Sequence, residues 1–347
     1  MSVEPADHCM TSTILSRRAF LRQTVAFSAM AATSGIARAS APDIDPKAAH
    51  ILIIGDWGYT KPEGQRQVAE GMAAYTRQNS LKPEALFMLG DSWYGALEGG
   101  VDSPRWQTQF EQMYPAPLFP GPAYSIMGNH DYQRIPIGVN KVQAELDYAK
   151  RGKSRWTQPG LWYTFDFKPA GANNPLLHVI ALDSNAPSPA HLLDPVTFTL
   201  TAEQYNEQLK WMDSELAKPA KAPFRIVMGH HPIFSNGRHG DTAVLVRDWE
   251  PRLRAHGVHA YLAGHDHDLQ HLEFAGHPTS FVCSGAGGAD LYEIKIPESQ
   301  RGPFADRVYG FTHLEATPKK LTFRHIDAQG NVLHAFSKAK DGAVTLP

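Results

Sequence analysis

Five short stretches of this sequence carry residues that could do chemistry together. They are Gly55-Asp56-Trp57-Gly58, Gly90-Asp91-Ser92-Trp93-Tyr94, Gly128-Asn129-His130-Asp131, Gly229-His230-His231-Pro232 and Gly264-His265-Asp266-His267. Between them they offer carboxylates, a phenol, an amide and imidazoles: Asp56, Asp91, Tyr94, Asn129, His230, His265 and His267. Oxygen and imidazole donors of this kind suit first-row metal ions. Seven donors exceed the needs of one ion. A carboxylate such as Asp91 can bridge two ions, and a pair about 3.5–4 Å apart clamps the attacking and leaving oxygens of a displacement. The chain also has 17 histidines in 347 residues, which prompts the search for metal spacing without proving a metal.

Each stretch follows an apolar run that reads as a buried strand: His50–Gly55, Ala85–Leu89, Ala123–Met127, Phe224–Met228 and Val258–Leu262. Leu177–Leu182 is a further strand. In α/β sheets, ligands bind beyond the carboxyl ends of the strands, and a glycine before each polar residue permits a sharp turn there. Motifs scattered over residues 56–267 can therefore converge on one site. Pro62 opens a helical pattern through Val68, Met72 and Tyr75. Thr201-Ala202-Glu203-Gln204 has capping-box spacing ahead of Tyr205, Leu209, Met212 and Leu216. One further helix is expected over Val244–Ala255. From Glu273 onward the pattern is more purely β, with hairpin-like runs at Tyr309–Glu315 and Leu321–Ile326 and a turn at Ala328–Asn331. This alternation argues for an α/β fold and one catalytic domain.

The N-terminus reads as a targeting segment. Ser16-Arg17-Arg18-Ala19-Phe20-Leu21 resembles a twin-arginine export signal, and Ala37-Arg38-Ala39 has the small-x-small form of a cleavage site. The intervening apolar stretch is too short and polar to span a bilayer. Residues 1–39 are thus expected to be a signal peptide and 40–347 the catalytic domain. That implies the twin-arginine machinery as a partner, a periplasmic or secreted location and no stable membrane anchor. The full chain has 33 basic and 35 acidic residues. Removing 1–39 takes four arginines and two acids, leaving a net charge of −4, and it takes Cys9, leaving Cys283 without an intrachain partner. No basic excess exists to neutralise nucleic-acid phosphates, so nucleic acid is not an expected partner.

With these motifs in their order, the sequence resembles the metallophosphoesterase superfamily, and within it the purple acid phosphatases of the small tartrate-resistant type. The similarity spans roughly residues 50–330 and includes Arg155-Trp156, Trp162-Tyr163, Gln208–Trp211 and Ser284–Gly287. It implies a four-layer α/β/β/α sandwich and an acid phosphatase that hydrolyses phosphomonoesters by attack of a metal-activated hydroxide. Most superfamily members carry a histidine where Gly58 stands, and many lack Tyr94. A phenolate is a hard ligand suited to Fe(III) and makes up for the missing imidazole. The resemblance thus implies Fe(III) on Asp56, Asp91, Tyr94 and His267, and a divalent ion (Fe, Zn or Mn) on Asp91, Asn129, His230 and His265. It gives His130 the role of orienting substrate or protonating the leaving group, and makes His239 a second outer-sphere histidine. The glutamate that commonly precedes this histidine is Arg238 here. The loops Gly95–Pro104, Arg134–Gly160 and Ala186–Thr199 are expected to set the small phosphoester substrate. The competing functions are a phosphodiesterase or nuclease on the same site and a non-catalytic metal-binding protein. A Ser/Thr protein phosphatase is disfavoured because Tyr94-Gly95-Ala96 replaces its Asp-Arg-Gly continuation.

Overall fold

The computed structural model describes residues 43–135, 138–187 and 198–347. The targeting segment and most of the Ala186–Thr199 loop lie outside these residues. Strand β1 (Ala49–Ile54) shows how the layers arise. Its side chains alternate, so Ile51 and Ile53 enter one apolar cluster while Leu52 and Ile54 enter another. A strand apolar on both faces must be covered on both faces.

Two sheets meet over the first cluster. One runs β15-β14-β13-β12-β1-β2-β3-β4, with β2 (Pro83–Met88), β3 (Ala123–Ser125) and β4 (Trp156–Thr157) parallel to β1. From β12 (Gly310–Ala316) through β13 (Lys320–Asp327), β14 (Val332–Ala339) and β15 (Val344–Thr345) it continues as an antiparallel meander. The other sheet runs β11-β9-β10-β8-β7-β6-β5. Here β6 (Leu177–Ala181), β7 (Phe224–Met228), β8 (Ala260–Ala263) and β10 (Ser280–Ser284) are parallel. Strands β5 (Tyr163–Phe167), β9 (Leu269–Leu272) and β11 (Pro303–Asp306) pair antiparallel. Ile51, Ile53 and Phe87 of the first sheet share the inter-sheet core with Val179, Ile226 and Leu262 of the second.

Helices cover the outer faces. Val68, Met72 and Tyr75 of α1 (Glu63–Gln78) and Ala144 and Tyr148 of α2 (Lys141–Lys150) pack on the first sheet. Met212 and Leu216 of α3 (Ala202–Ala217) pack on the second. The result is the four-layer α/β/β/α order. The expected capping box is formed: Gln204 N donates to Thr201 Oγ1 at 3.1 Å and Thr201 N to Gln204 Oε1 at 2.9 Å.

The helix expected over Val244–Ala255 is two helices, α4 (Ala243–Asp248) and α5 (Glu250–Ala255), joined at Trp249. Pro251 lacks an amide hydrogen and fits only the first turn of a new helix, so the chain restarts there. The short runs β4, β5, β9 and β11 carry too little periodicity to be read singly. Among the described residues no helix is long and apolar enough to cross a membrane.

Ile226 tests the shared core. Ile226→Ala is expected to cost about 2–5 kcal/mol in urea unfolding, because the two sheets cannot close on the void. A loss below about 1 kcal/mol would show that the inter-sheet face is not tightly packed.

Candidate metal centre

The parallel strands β1, β2 and β3 of one sheet and β7 and β8 of the other deliver their polar ends to the same edge. The chain turns abruptly at three of these ends. Asp56 (φ 59°), Asp91 (φ 52°) and His265 (φ 69°) all adopt left-handed backbone. Such conformations are uncommon for residues other than glycine and persist only where surrounding structure enforces them. The enforcement is visible: Gly55 N donates to Ser284 O, Asp56 N to Gly90 O and Gly264 N to His230 O. At Gly128 the backbone passes so near Asp91 that a Cβ would lie 2.2 Å from its Oδ1.

The donors meet in a small volume. Ligand atoms of Asp56, Asp91 and His267 lie within 4.8 Å of one another. Tyr94 Oη is 3.2 Å from Asp56 Oδ1 and 2.9 Å from His267 Nε2. His230 Nε2 is 3.5 Å from Asp91 Oδ1 and 4.0 Å from Asp56 Oδ1. Asn129 Oδ1 lies 3.1 Å from His230 Nε2 and 2.9 Å from His265 Nδ1. All seven sequence-predicted donors are therefore brought together. Asp56, Asp91, Tyr94, His230 and His267 are buried, while Asn129, His130 and His265 are half-buried and face the open side.

Ring orientation is fixed from behind. His230 Nδ1 donates to Leu89 O at 2.8 Å and His267 Nδ1 to Asp290 O at 2.6 Å. A carbonyl can only accept, so each ring turns Nε2 into the pocket, the arrangement in which imidazoles ligate metals. The electrostatics agree. Burial opposes a charge on His230, yet the Asp91 and Asp56 carboxylates raise it to about 10. Burial also works against Asp91, but His230 and His130 hold its carboxyl well below the usual range. Burial, with the neighbouring His231 and His230, holds His265 well below its ordinary value, leaving a neutral ring. Tyr94 is pushed well above 10 by burial and by Asp91 and Asp56. A phenolate there needs strong positive charge beside it. The pocket thus fits cations in both its donor chemistry and its field.

Gly58 explains the absent histidine of the first motif. A Cβ at this position would lie 1.6 Å from Ser92 O, so no side chain fits. Tyr94 enters the pocket instead.

Several positioning residues carry no donor signal in the sequence. Asp131 is buried and accepts from Trp93 N at 2.9 Å and Gly128 N at 2.8 Å, which ties the second and third motif loops together. Lys141, at the start of α2, donates to Trp93 O at 2.7 Å and Gly95 O at 3.1 Å. Arg105 precedes a wide turn at Trp106–Glu111 and donates to Tyr94 O at 2.9 Å and Gly58 O at 2.8 Å. Trp57, Trp93, Trp106 and Trp156 pack edge to face behind these loops. Asp131 stands in a quoted motif, but nothing in its spacing separates it from an ordinary turn residue. Arg105 and Lys141 carry no such signal at all.

The outer histidines are also placed. The His130 ring lies 4.1 Å from that of Tyr94, with Nδ1 2.9 Å from Gln133 Oε1. His239 packs its ring 4.1 Å from His265. Its carboxylate partner is Asp266, the third residue of Gly264-His265-Asp266-His267. Asp266 Oδ1 accepts from His239 Nδ1 at 2.8 Å and from His239 N at 3.0 Å. Thus the replacement of the usual glutamate by Arg238 does not leave His239 without an acid beside it. His231 is held by Ser184, whose Oγ contacts its Nδ1 at 2.8 Å.

Residues 49–269, carrying all five motifs, match the calcineurin-like phosphoesterase family. The chain belongs to that family. Tartrate-resistant acid phosphatase type 5 of Mus musculus is 32% identical over 300 residues, covering 82% of this chain and 88% of the relative. This places the chain among the tartrate-resistant and purple acid phosphatases, a group of dinuclear-metal phosphoesterases. Two solved structures share the fold. The purple acid phosphatase PPD1 from yellow lupin seeds has a TM-score of 0.61 at 17% identity, covering 87% of this chain and 56% of that one. GAP50, the anchor in the inner membrane complex of Plasmodium, has a TM-score of 0.68 at 19% identity, covering 83% and 87%. A phosphoesterase of this family depends on the alignment of its loops, which makes Asp131 testable. Asp131→Ala leaves Trp93 N and Gly128 N unpaired and is expected to cost about 2–4 kcal/mol in urea unfolding. Unchanged stability would mean that water or a neighbouring group satisfies both amides.

Proposed function

We propose that this chain is an exported dinuclear-metal acid phosphatase that hydrolyses phosphomonoesters. The observation that carries the reading is the meeting of Asp56, Asp91, Tyr94, Asn129, His230, His265 and His267 where the strand ends of the two sheets converge. Asp56, Asp91, Tyr94 and His267 would hold Fe(III). Asp91, Asn129, His230 and His265 would hold a divalent ion (Fe, Zn or Mn), with Asp91 shared. When bound, such a pair supplies Lewis acidity toward phosphate oxygens and lowers the pKa of water to furnish a nucleophile.

The protein's own groups do the rest. Leu89 O and Asp290 O keep the His230 and His267 rings aimed inward. Arg105 and Lys141 hold the backbone on either side of Tyr94, fixing the phenol's approach. His130 stands on the open side against Tyr94, with Gln133 on Nδ1 orienting its ring, and Nε2 is the atom to hand a proton to the leaving oxygen. Asp266 tethers His239 through Nδ1, so this second imidazole stays beside His265, where it can contact a substrate oxygen. Export to the periplasm or the medium rests on the Ser16–Leu21 motif and the segment to Ala39. A small phosphoester, rather than nucleic acid, fits a chain with no basic excess.

Two measurements test this reading. The purified protein should hydrolyse p-nitrophenyl phosphate faster than bis(p-nitrophenyl) phosphate, and a faster diester rate would make it a phosphodiesterase. The protein should also show a visible tyrosinate-to-iron band that Tyr94→Phe abolishes. A colourless, active, zinc-only protein would overturn the iron assignment while leaving hydrolysis standing.

A further inference from the structure

Outward from the metal centre, one wall of the pocket is a stack. The Tyr292 ring lies parallel to that of His267, with 3.9 Å between centroids and 12° between planes. The Arg238 guanidinium lies over Tyr292, its carbon 4.8 Å from the ring centroid. His239, next in sequence, turns to the pocket and meets Tyr292 edge-on at 5.2 Å. Arg238 is exposed and pairs with no carboxylate among the described residues; the acid of its own loop, Asp241, is taken by Arg301, and Asp266 of the neighbouring loop by His239 and Ser235. A second cation joins it, because Lys295 Nζ bonds to the Arg238 carbonyl oxygen. The loop bearing Arg238 is fixed on both flanks. Asn236 O accepts from Lys295 N at 2.8 Å and Ile296 N at 3.1 Å, and His239 N is bound to Asp266. An uncompensated guanidinium on a tethered loop, lying over an aromatic ring, is a pre-organised phosphate receptor.

From this arrangement we infer that Arg238, with Lys295 beside it, binds a second phosphate group of the substrate while the first occupies the metal centre. The inference rests on the phosphatase reading above and adds a substrate class: phosphoesters carrying two or more phosphates, whether joined as an anhydride or placed on separate carbons. Tyr292 spaces the two phosphates. It sets Arg238 one ring outward from His267, on the side where a further phosphate would lie.

The test compares substrates with and without the second phosphate on the metal-loaded, full-length protein. The pairs are ADP against AMP and glucose 1,6-bisphosphate against glucose 6-phosphate. Arg238→Ala is expected to lower the bis-over-mono ratio of kcat/KM about fivefold and Arg238→Glu about tenfold, mainly through KM, while Arg238→Lys keeps most of it. A ratio that moves less than about threefold in Arg238→Glu, for both pairs, overturns the inference. A fall confined to ADP assigns the site to anhydrides, and one confined to the bisphosphate assigns it to esters. If the wild-type protein cleaves none of these four substrates and no p-nitrophenyl phosphate, the phosphatase reading itself has failed. Calorimetric binding then still decides the role of Arg238: pyrophosphate must lose more affinity than orthophosphate in Arg238→Glu, and equal losses overturn it.

Discussion

Two carboxylates, Asp56 and Asp91, are wholly buried within reach of one imidazole, and the rest of the site follows from that constraint. Like charges in a poorly hydrated space repel, and each costs solvation, so they persist only with positive charge among them. In the protein alone part of that charge falls on His230, which the two aspartates raise to about 10. The same field pushes Tyr94 far above its ordinary value. A site in which burial and mutual repulsion oppose both the carboxylate charge of Asp56 and a phenolate at Tyr94 is organised around cations. The left-handed turns at Asp56, Asp91 and His265 are the backbone expression of this. They are strained, and backbone bonds between the loops after β1 and β2, and between those after β7 and β8, keep them in place.

Holding seven donors together takes more residues than the donors themselves. Asp131 ties two loops by their amides, Arg105 and Lys141 gather carbonyls around Tyr94, and an indole cluster backs them all. Asp131, Arg105 and Lys141 bond backbone atoms and are not themselves among the donors. They set the geometry to within the tolerance that ligation demands. The same logic extends outward to Asp266, which serves His239 through the side chain lying between the two histidines of its motif.

Much of this was legible in the sequence because parallel strands impose a simple rule. Ile51–Ile54, Phe87–Leu89 and Ile226–Met228 read as buried runs, and a glycine with a polar residue after each marks the ligand edge. The donors could therefore be named from position alone. What escaped was whatever depends on tertiary approach. Arg105 and Lys141 look like any surface cations until the chain folds and buries most of their length. The break at Trp249 is local but was masked by continuous apolar spacing on both sides. The histidine surplus misled in the other direction. His271, His325 and His334 form a packed group in the second sheet and its neighbour, with His271 Nδ1 3.0 Å from His334 Nε2, and His50 and His313 pair across β1 and β12 at 3.1 Å. Their work is structural, and the count of histidines said little about the site.

The central claim is that Asp91 is shared between two ions. Metal content per chain, measured by mass spectrometry on purified wild type and Asp91→Ala, tests it most directly. Close to two ions per chain are expected in wild type and the loss of both in the variant, because both proposed coordination sets contain Asp91. One ion per wild-type chain, or a variant that keeps one ion at full occupancy, would contradict it.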